Sequence, residues 1–161
     1  MTASAHEPAE PDYAERVRAS FGRQAFMTLI GAEIATVEPG FVEIRLPFSE
    51  RVTQQHLYFH GGVTGAIADS AAGYAAFSLF AADEAPLTSE YKINLLAPGD
   101  GEALVARARV LKPGAFLNVC RADVFAERQG GEVHVATALI TIVRMKGRRD
   151  ETVLGGQERA A

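Results

Sequence analysis

Asp69 is the only charged residue in the apolar stretch from Gly61 to Ala82, GGVTGAIADSAAGYAAFSLFAA. A carboxylate withdrawn from water has to be paired, hydrogen-bonded or protonated. Capping of a neighbouring segment, or pairing with an arginine, would account for an arbitrary aspartate; isolation in so apolar a setting favours a functional group of altered basicity. At the head of the same stretch stands His60-Gly61-Gly62. Glycines let a ligand approach the backbone closely, and the first amides of a helix have no intrahelical acceptor and lie at the positive end of its dipole. On its own the tripeptide is explained equally well by a tight turn into a helix. A carboxylate that supplies or activates an oxygen nucleophile and amides that hold a developing oxyanion are together what acyl transfer to water requires, without a metal.

Both features need a scaffold that encloses them. The stretch is dominated by Ala, Gly and Ser, which suits a helix approached closely by surrounding strands. Its length would also suit a membrane span, but an aspartate at the centre costs about 2.5 to 3.5 kcal/mol on insertion scales. No membrane partner is expected. Upstream, Val17, Phe21, Ala25 and Leu29 recur every four residues, which predicts one amphipathic helix between Asp12 and Ile30, with Asp12 as N-cap and Gly31 as its close. Ala32 to Val37 and Phe41 to Phe48 read as a hairpin around Glu38-Pro39-Gly40, with Val42, Ile44 and Leu46 on its dry face. Beyond the long helix, strands are expected over Leu87 to Leu96, Glu102 to Leu111, Phe116 to Glu127 and Glu132 to Arg144, divided by Pro/Gly turns. Strands before and after one central helix, with no βαβ alternation, predict an α+β fold in which an antiparallel sheet wraps the helix.

Size and composition limit the partners. The 161 residues fit one domain, and 48% apolar with 22% charged residues fits a folded globule. The expected domain runs over 12–145, with residues 1–11 as a disordered tail and 146–161 as a flexible one. A net charge of -4, with no basic run interleaved with aromatics, argues against nucleic acid. The single Cys120 reads as core, and the N-terminus has no basic start followed by an apolar run, so a reducing cytoplasm is expected. The four histidines, His6, His56, His60 and His134, form no HExxH motif and no Cys/His cluster, and no metal is expected. Arg107, Arg109 and Arg121 read as a wet sheet face paired with Glu43 and Asp123, rather than as a phosphate site. Tyr58, Phe59, Tyr74 and Phe77 are candidates for an acyl pocket or for core.

The combination of Gln54, six positions before His60, with His60-Gly61-Gly62 opening an Ala/Gly-rich helix and Asp69 nine residues further on, resembles the hotdog-fold thioesterases of the PaaI-like and 4-hydroxybenzoyl-CoA thioesterase type. Thr88-Ser89-Glu90-Tyr91-Lys92-Ile93-Asn94, running into Ala97-Pro98-Gly99, resembles the strand after the helix in the same family. The likeness covers roughly residues 30 to 145. It implies a hotdog fold, an acyl-CoA substrate and no cofactor beyond the coenzyme A of that substrate. By the same resemblance Asp69 is the catalytic carboxylate and the Gly61 amide polarises the thioester carbonyl. Gln54 positions the carbonyl or the attacking water, and Thr88 orients the water. His60, Gly62 and Tyr74 are taken as substrate-binding residues.

Gly61 and Asp69 are eight residues apart, about 12 Å along a helix axis at 1.5 Å per residue. One carbonyl cannot make short contacts to both on the same helix. A composite site is therefore expected, with Gln54 and Gly61 from one subunit and Asp69 and Thr88 from a twofold partner. The expected assembly is a homodimer, with a tetramer as its extension. Two alternatives stay open: a non-catalytic acyl-CoA-binding hotdog protein that senses or assembles, and a hotdog hydratase or dehydratase, whose His-containing signatures are not evident.

Overall fold

The structure is a computed structural model, and it describes residues 6–150. Its element order is α1 (Tyr13–Phe21), α2 (Ala25–Ile30), β1 (Glu33–Glu38), β2 (Phe41–Pro47), a single 3-10 turn (Glu50–Val52), α3 (Gly61–Phe77), β3 (Glu84–Leu95), β4 (Ala103–Lys112), β5 (Leu117–Arg128) and β6 (Gly131–Lys146). The six strands form one antiparallel sheet in the order β1-β2-β4-β5-β6-β3. This is the expected α+β hotdog arrangement. The sheet curls around α3, which contacts β2, β3, β4, β5 and β6.

Alternation builds the core. Val42, Ile44 and Leu46 of β2 are fully buried, while the residues between them are half-buried. Ala106 and Ala108 of β4, Cys120, Ala122 and Val124 of β5, and Ile140 and Ile142 of β6 complete the inner face. Small side chains at the centre let α3 lie close to the strands. Its own Ala68, Ala71, Ala72, Ala75 and Ala76 are buried.

Three expectations change. The single N-terminal helix is two, because Gly22 ends α1 and Gln24 takes an extended backbone (φ -76°, ψ 98°) before α2 starts. The four-residue repeat continues across this break, so the sequence pattern hides it. Met27 turns inward and Leu29 is left 67% exposed. Asp12 does occupy the N-cap position, but its side chain makes no capping hydrogen bond. Gly31 closes α2 in the left-handed region at φ 77°, where glycine bears no steric penalty. The central helix ends at Phe77, not Ala82. There Ser78 Oγ donates to the Ala75 carbonyl at 2.7 Å, and Leu79 and Phe80 form tighter i to i-3 bonds. No helix among the described residues is long and apolar enough to cross a membrane.

The segments flanking residues 12–145 make contacts with the domain. His6 Nε2 lies 3.1 Å from the Val110 carbonyl, and the Ala82 amide donates to Glu10 at 3.1 Å. The Arg148 amide donates to the Asp83 carbonyl at 2.9 Å. The rest of the two expected tails, 1–5 and 151–161, lies outside the described residues.

Candidate active site

Gly61, Gly65, Asp69 and Gly73 follow one another at intervals of four and so share one face of α3. Strand β3 runs antiparallel along that face. A Cβ at Gly61 would lie 3.0 Å from Leu95 Cδ1, and one at Gly65 would lie 3.5 Å from the Tyr91 hydroxyl. At the next step Thr88 Oγ1 donates to Asp69 Oδ1 at 2.7 Å. The glycines are what allow the strand so near the helix, and Asp69 is the one functional group on a stripe otherwise without side chains.

A bulge aims Thr88. In an unbroken strand, Thr88 and Tyr91 would point to opposite faces. The β3–β6 register shifts between Thr88 and Glu90, so that Thr88 pairs with Ile142 and Tyr91 with Ile140, both inward residues of β6. Ser89 is the extra residue, and its hydroxyl donates to the Thr141 carbonyl at 3.2 Å.

Asp69 is half-buried, and its pKa is raised: desolvation dominates, partly offset by the Thr88 hydrogen bond, which favours the ionised form. Its second oxygen receives no hydrogen bond from the described residues. The carboxylate opens into a cavity of about 140 Å³ bounded by Thr88, Ser70, Gly73 and Tyr74, with Ser20 and Gln24 from the N-terminal helices. Tyr74 is mostly core, 4% exposed and edge-on to Phe21 and Phe77, but its hydroxyl lies 3.2 Å from Ser20 Oγ in the cavity wall. Burial first of all pushes this phenol up to about 12.

Gly61 and Gln54 line a different and larger cleft of about 460 Å³, with Tyr58, Phe59, Leu95 and Val135 among its walls. At the helix start, Gly62 N–H donates to His60 Nδ1 at 2.8 Å, and the His60 carbonyl accepts from Val63 and Thr64 at 3.0 and 3.2 Å. Gly61 N–H is the amide of this turn left without an acceptor among the described residues. His60 and Gly62 therefore bond each other, and the pair shapes the turn around that free amide. The Gln54 carboxamide oxygen accepts from the His56 amide. Because a backbone N–H must face an oxygen, this fixes the orientation of the carboxamide and leaves its amino group free to donate.

Within one chain, then, Thr88 and Tyr74 join Asp69, and Gln54 joins Gly61, in two cavities with no lining residue in common. Ser20, Gln24 and Ser70 are members of the Asp69 cavity that the sequence did not single out. Gly22 was the available signal, since the helix break it marks is what carries Gln24 over Ser70. Two of the three arginines are occupied as expected of a wet sheet face: Arg107 pairs with Glu43 at 2.6 Å and with Glu132 at 2.7 Å, and Arg121 with Asp123 at 3.0 Å, while Arg109 stands opposite Arg121 in the β4–β5 register. Among the described residues no three His, Cys, Asp or Glu side chains gather to hold a metal ion.

Comparison with known proteins gives a consistent picture. The sequence pattern of the thioesterase superfamily matches residues 57–133. A 1,4-dihydroxy-2-naphthoyl-CoA hydrolase of Listeria monocytogenes is 31% identical over 100 residues, 62% of this chain and 81% of that protein. The crystal structure of a thioesterase family protein from Silicibacter pomeroyi superposes with a TM-score of 0.82 at 45% identity, covering 84% of this chain and 99% of that one. The E. coli PaaI protein from the phenylacetic acid degradation operon superposes with a TM-score of 0.76, covering 85% of this chain and 96% of that one; at 24% identity, the likeness bears on the fold.

Proposed function

The chain belongs to the hotdog-fold thioesterase superfamily, whose chemistry is the hydrolysis of thioesters, and from that premise we propose that it cleaves acyl-CoA to a free acid and coenzyme A. The Listeria relative, a CoA thioester hydrolase by name, supports the choice of coenzyme A as the thiol. The observation that carries the reading is the Asp69–Thr88 pair. One carboxylate oxygen is held at 2.7 Å by a hydroxyl, the other has no donor among the described residues, and burial raises the basicity of the group.

In the proposed reaction Asp69 takes a proton from water as the water oxygen bonds to the thioester carbon. The carbonyl oxygen becomes an oxyanion, held by Gly61 N–H and the Gln54 amino group. The tetrahedral species then expels the thiolate, which regains the proton from Asp69. Attack by Asp69 itself, followed by hydrolysis of the resulting anhydride, uses the same groups.

These groups come from two copies of the chain. Gly61 and Asp69 are separated by about 12 Å of helix at 1.5 Å per residue. Strand β3 is an edge of the sheet, and it leaves Leu87, Tyr91 and Leu95 between 49% and 59% exposed. An apolar unpaired edge calls for a partner, and a twofold copy against β3 brings the Gly61 cleft of one chain to the Asp69 cavity of the other. The test of the chemistry is thiol release from a panel of acyl-CoAs, wild type against Asp69→Ala. Release that depends on Asp69 is expected; tight binding with no Asp69-dependent release would make the protein an acyl-CoA binder instead.

A further inference from the structure

Gln54 and Gly61, the two donors assigned to the thioester carbonyl, are tied together by one short hairpin. The Thr53 and Phe59 backbones form an isolated antiparallel bridge. On one side of it His60 N–H donates to the Val52 carbonyl at 2.9 Å, and on the other Gln54 N–H donates to the Tyr58 carbonyl at 2.9 Å. The arms are anchored: Val52 and Phe59 are both 4% exposed, and the Phe59 ring stands edge-on to Phe48 with centroids 5.6 Å apart. Gln55, His56 and Leu57 at the tip are exposed, so the shape of the tip depends on its own backbone.

Two further bonds converge on Gln54. Its carbonyl accepts from Leu57 N–H at 2.9 Å, and its carboxamide oxygen accepts from the His56 amide. Gln55, His56 and Leu57 thus make a three-residue hairpin loop, a form whose third residue is left-handed and ordinarily glycine. Here Leu57 takes that conformation, at φ 64°, and no other non-glycine residue among the described residues has a positive φ. For leucine the left-handed region is disfavoured by roughly five- to thirtyfold, a penalty that glycine escapes. The Leu57 side chain is 60% exposed, so packing within this chain offsets little of it.

The hydrogen bonds around Gln54 hold the strained residue in place, and the strained residue in turn keeps those bonds. With residue 57 at negative φ, the loop no longer closes on the Gln54 carbonyl, and the carboxamide loses the His56 amide that orients it. Its amino group would then sample many directions instead of one. We infer that Leu57 is a positioning residue for the proposed hydrolysis: its left-handed backbone, rather than its side chain, holds the Gln54 carboxamide in the cleft that Gly61 also lines. This role rests on the hydrolase reading above, in which Gln54 helps to hold the oxyanion.

Leu57→Gly, Leu57→Asn and Leu57→Val separate backbone from side chain. Glycine and asparagine accept the left-handed region but lack the apolar side chain; valine keeps an apolar side chain and, being β-branched, resists that region. The measurements are kcat and KM with an acyl-CoA that the wild type hydrolyses, and hydrogen exchange at the His56 amide, which reads the bond to the Gln54 carboxamide. Glycine and asparagine should retain at least the wild-type kcat/KM. Valine should lose about tenfold, chiefly in kcat, with the acid limb of the pH–rate profile unmoved because Asp69 lies in the other cavity. Protection of the His56 amide should rise severalfold in Leu57→Gly and fall in Leu57→Val. The glycine arm decides the matter even where the valine variant does not fold. Loss of activity with glycine and asparagine but not with valine would assign the work to the side chain and overturn the inference, as would His56 protection indifferent to residue 57. Absence of Asp69-dependent thiol release would overturn the hydrolase reading, while the exchange series would still report on the loop, so the two failures are distinguishable.

Discussion

Thr88 Oγ1 reaches across from β3 to donate a 2.7 Å hydrogen bond to Asp69 Oδ1 on α3, and the bulge at Ser89 is what turns it that way. The bond favours the charged carboxylate against the burial that opposes it. Thr88→Val keeps the shape and removes the donor. The acid limb of the pH–rate profile should then move to higher pH, because Asp69 loses the interaction that lowered its pKa. The rate at the optimum should fall by about tenfold, the worth of one hydrogen bond in orienting the base. An unmoved acid limb would separate Thr88 from the titrating group.

Asp69 itself should reduce stability at neutral pH. Its folded pKa is raised, so its favourable contribution is fully present below the unfolded value and is lost as pH rises through the folded one. Asp69→Asn removes the titration. The variant should melt a few degrees above the wild type at pH 7, with the gap closing as pH falls towards the ordinary carboxylate range. Its activity should drop roughly a hundred- to ten-thousandfold, the usual worth of a general base. Paired melting curves across this pH range, with steady-state rates, check both halves.

The glycines of the α3 stripe should respond differently to alanine. At Gly73 the added methyl meets no atom within 4 Å, so better helix propensity should stabilise the fold by about 0.5–1 kcal/mol. At Gly61 the methyl would meet Leu95 Cδ1 at 3.0 Å. Leu95 must give way beside the free amide, and kcat should fall by about tenfold while the amide itself is retained. Denaturant titration and kcat for the two variants measure the contrast.

Much of this was legible in the sequence. Alternation in β2 and the turn residues between the later strands set the sheet, and the lone charge at Asp69 marked the candidate site because a buried carboxylate is costly. Two features were not legible. The repeat of Val17, Phe21, Ala25 and Leu29 continues through the break at Gly22, so periodicity alone gave one helix and missed Gln24. The bulge at Ser89 depends on how β3 registers against β6, a long-range pairing that no local pattern in the strand encodes. By contrast, Gly61, Gly65, Asp69 and Gly73 stand at helical spacing in plain view, and that repeat was a usable sign that a strand lies along this face.

The central claim is that Gly61 with Gln54, and Asp69 with Thr88, act together only across two copies of the chain. Subunit mixing tests it most directly. Inactive Gln54→Ala and inactive Asp69→Ala proteins, combined in equal amounts and allowed to exchange, form heterodimers in which one site carries both substitutions and the other carries neither. Random exchange should restore roughly a quarter of wild-type activity, since about half of the dimers are mixed and each has one intact site of two. A mixture that stays inactive after differently tagged subunits have been shown to exchange would contradict the composite site.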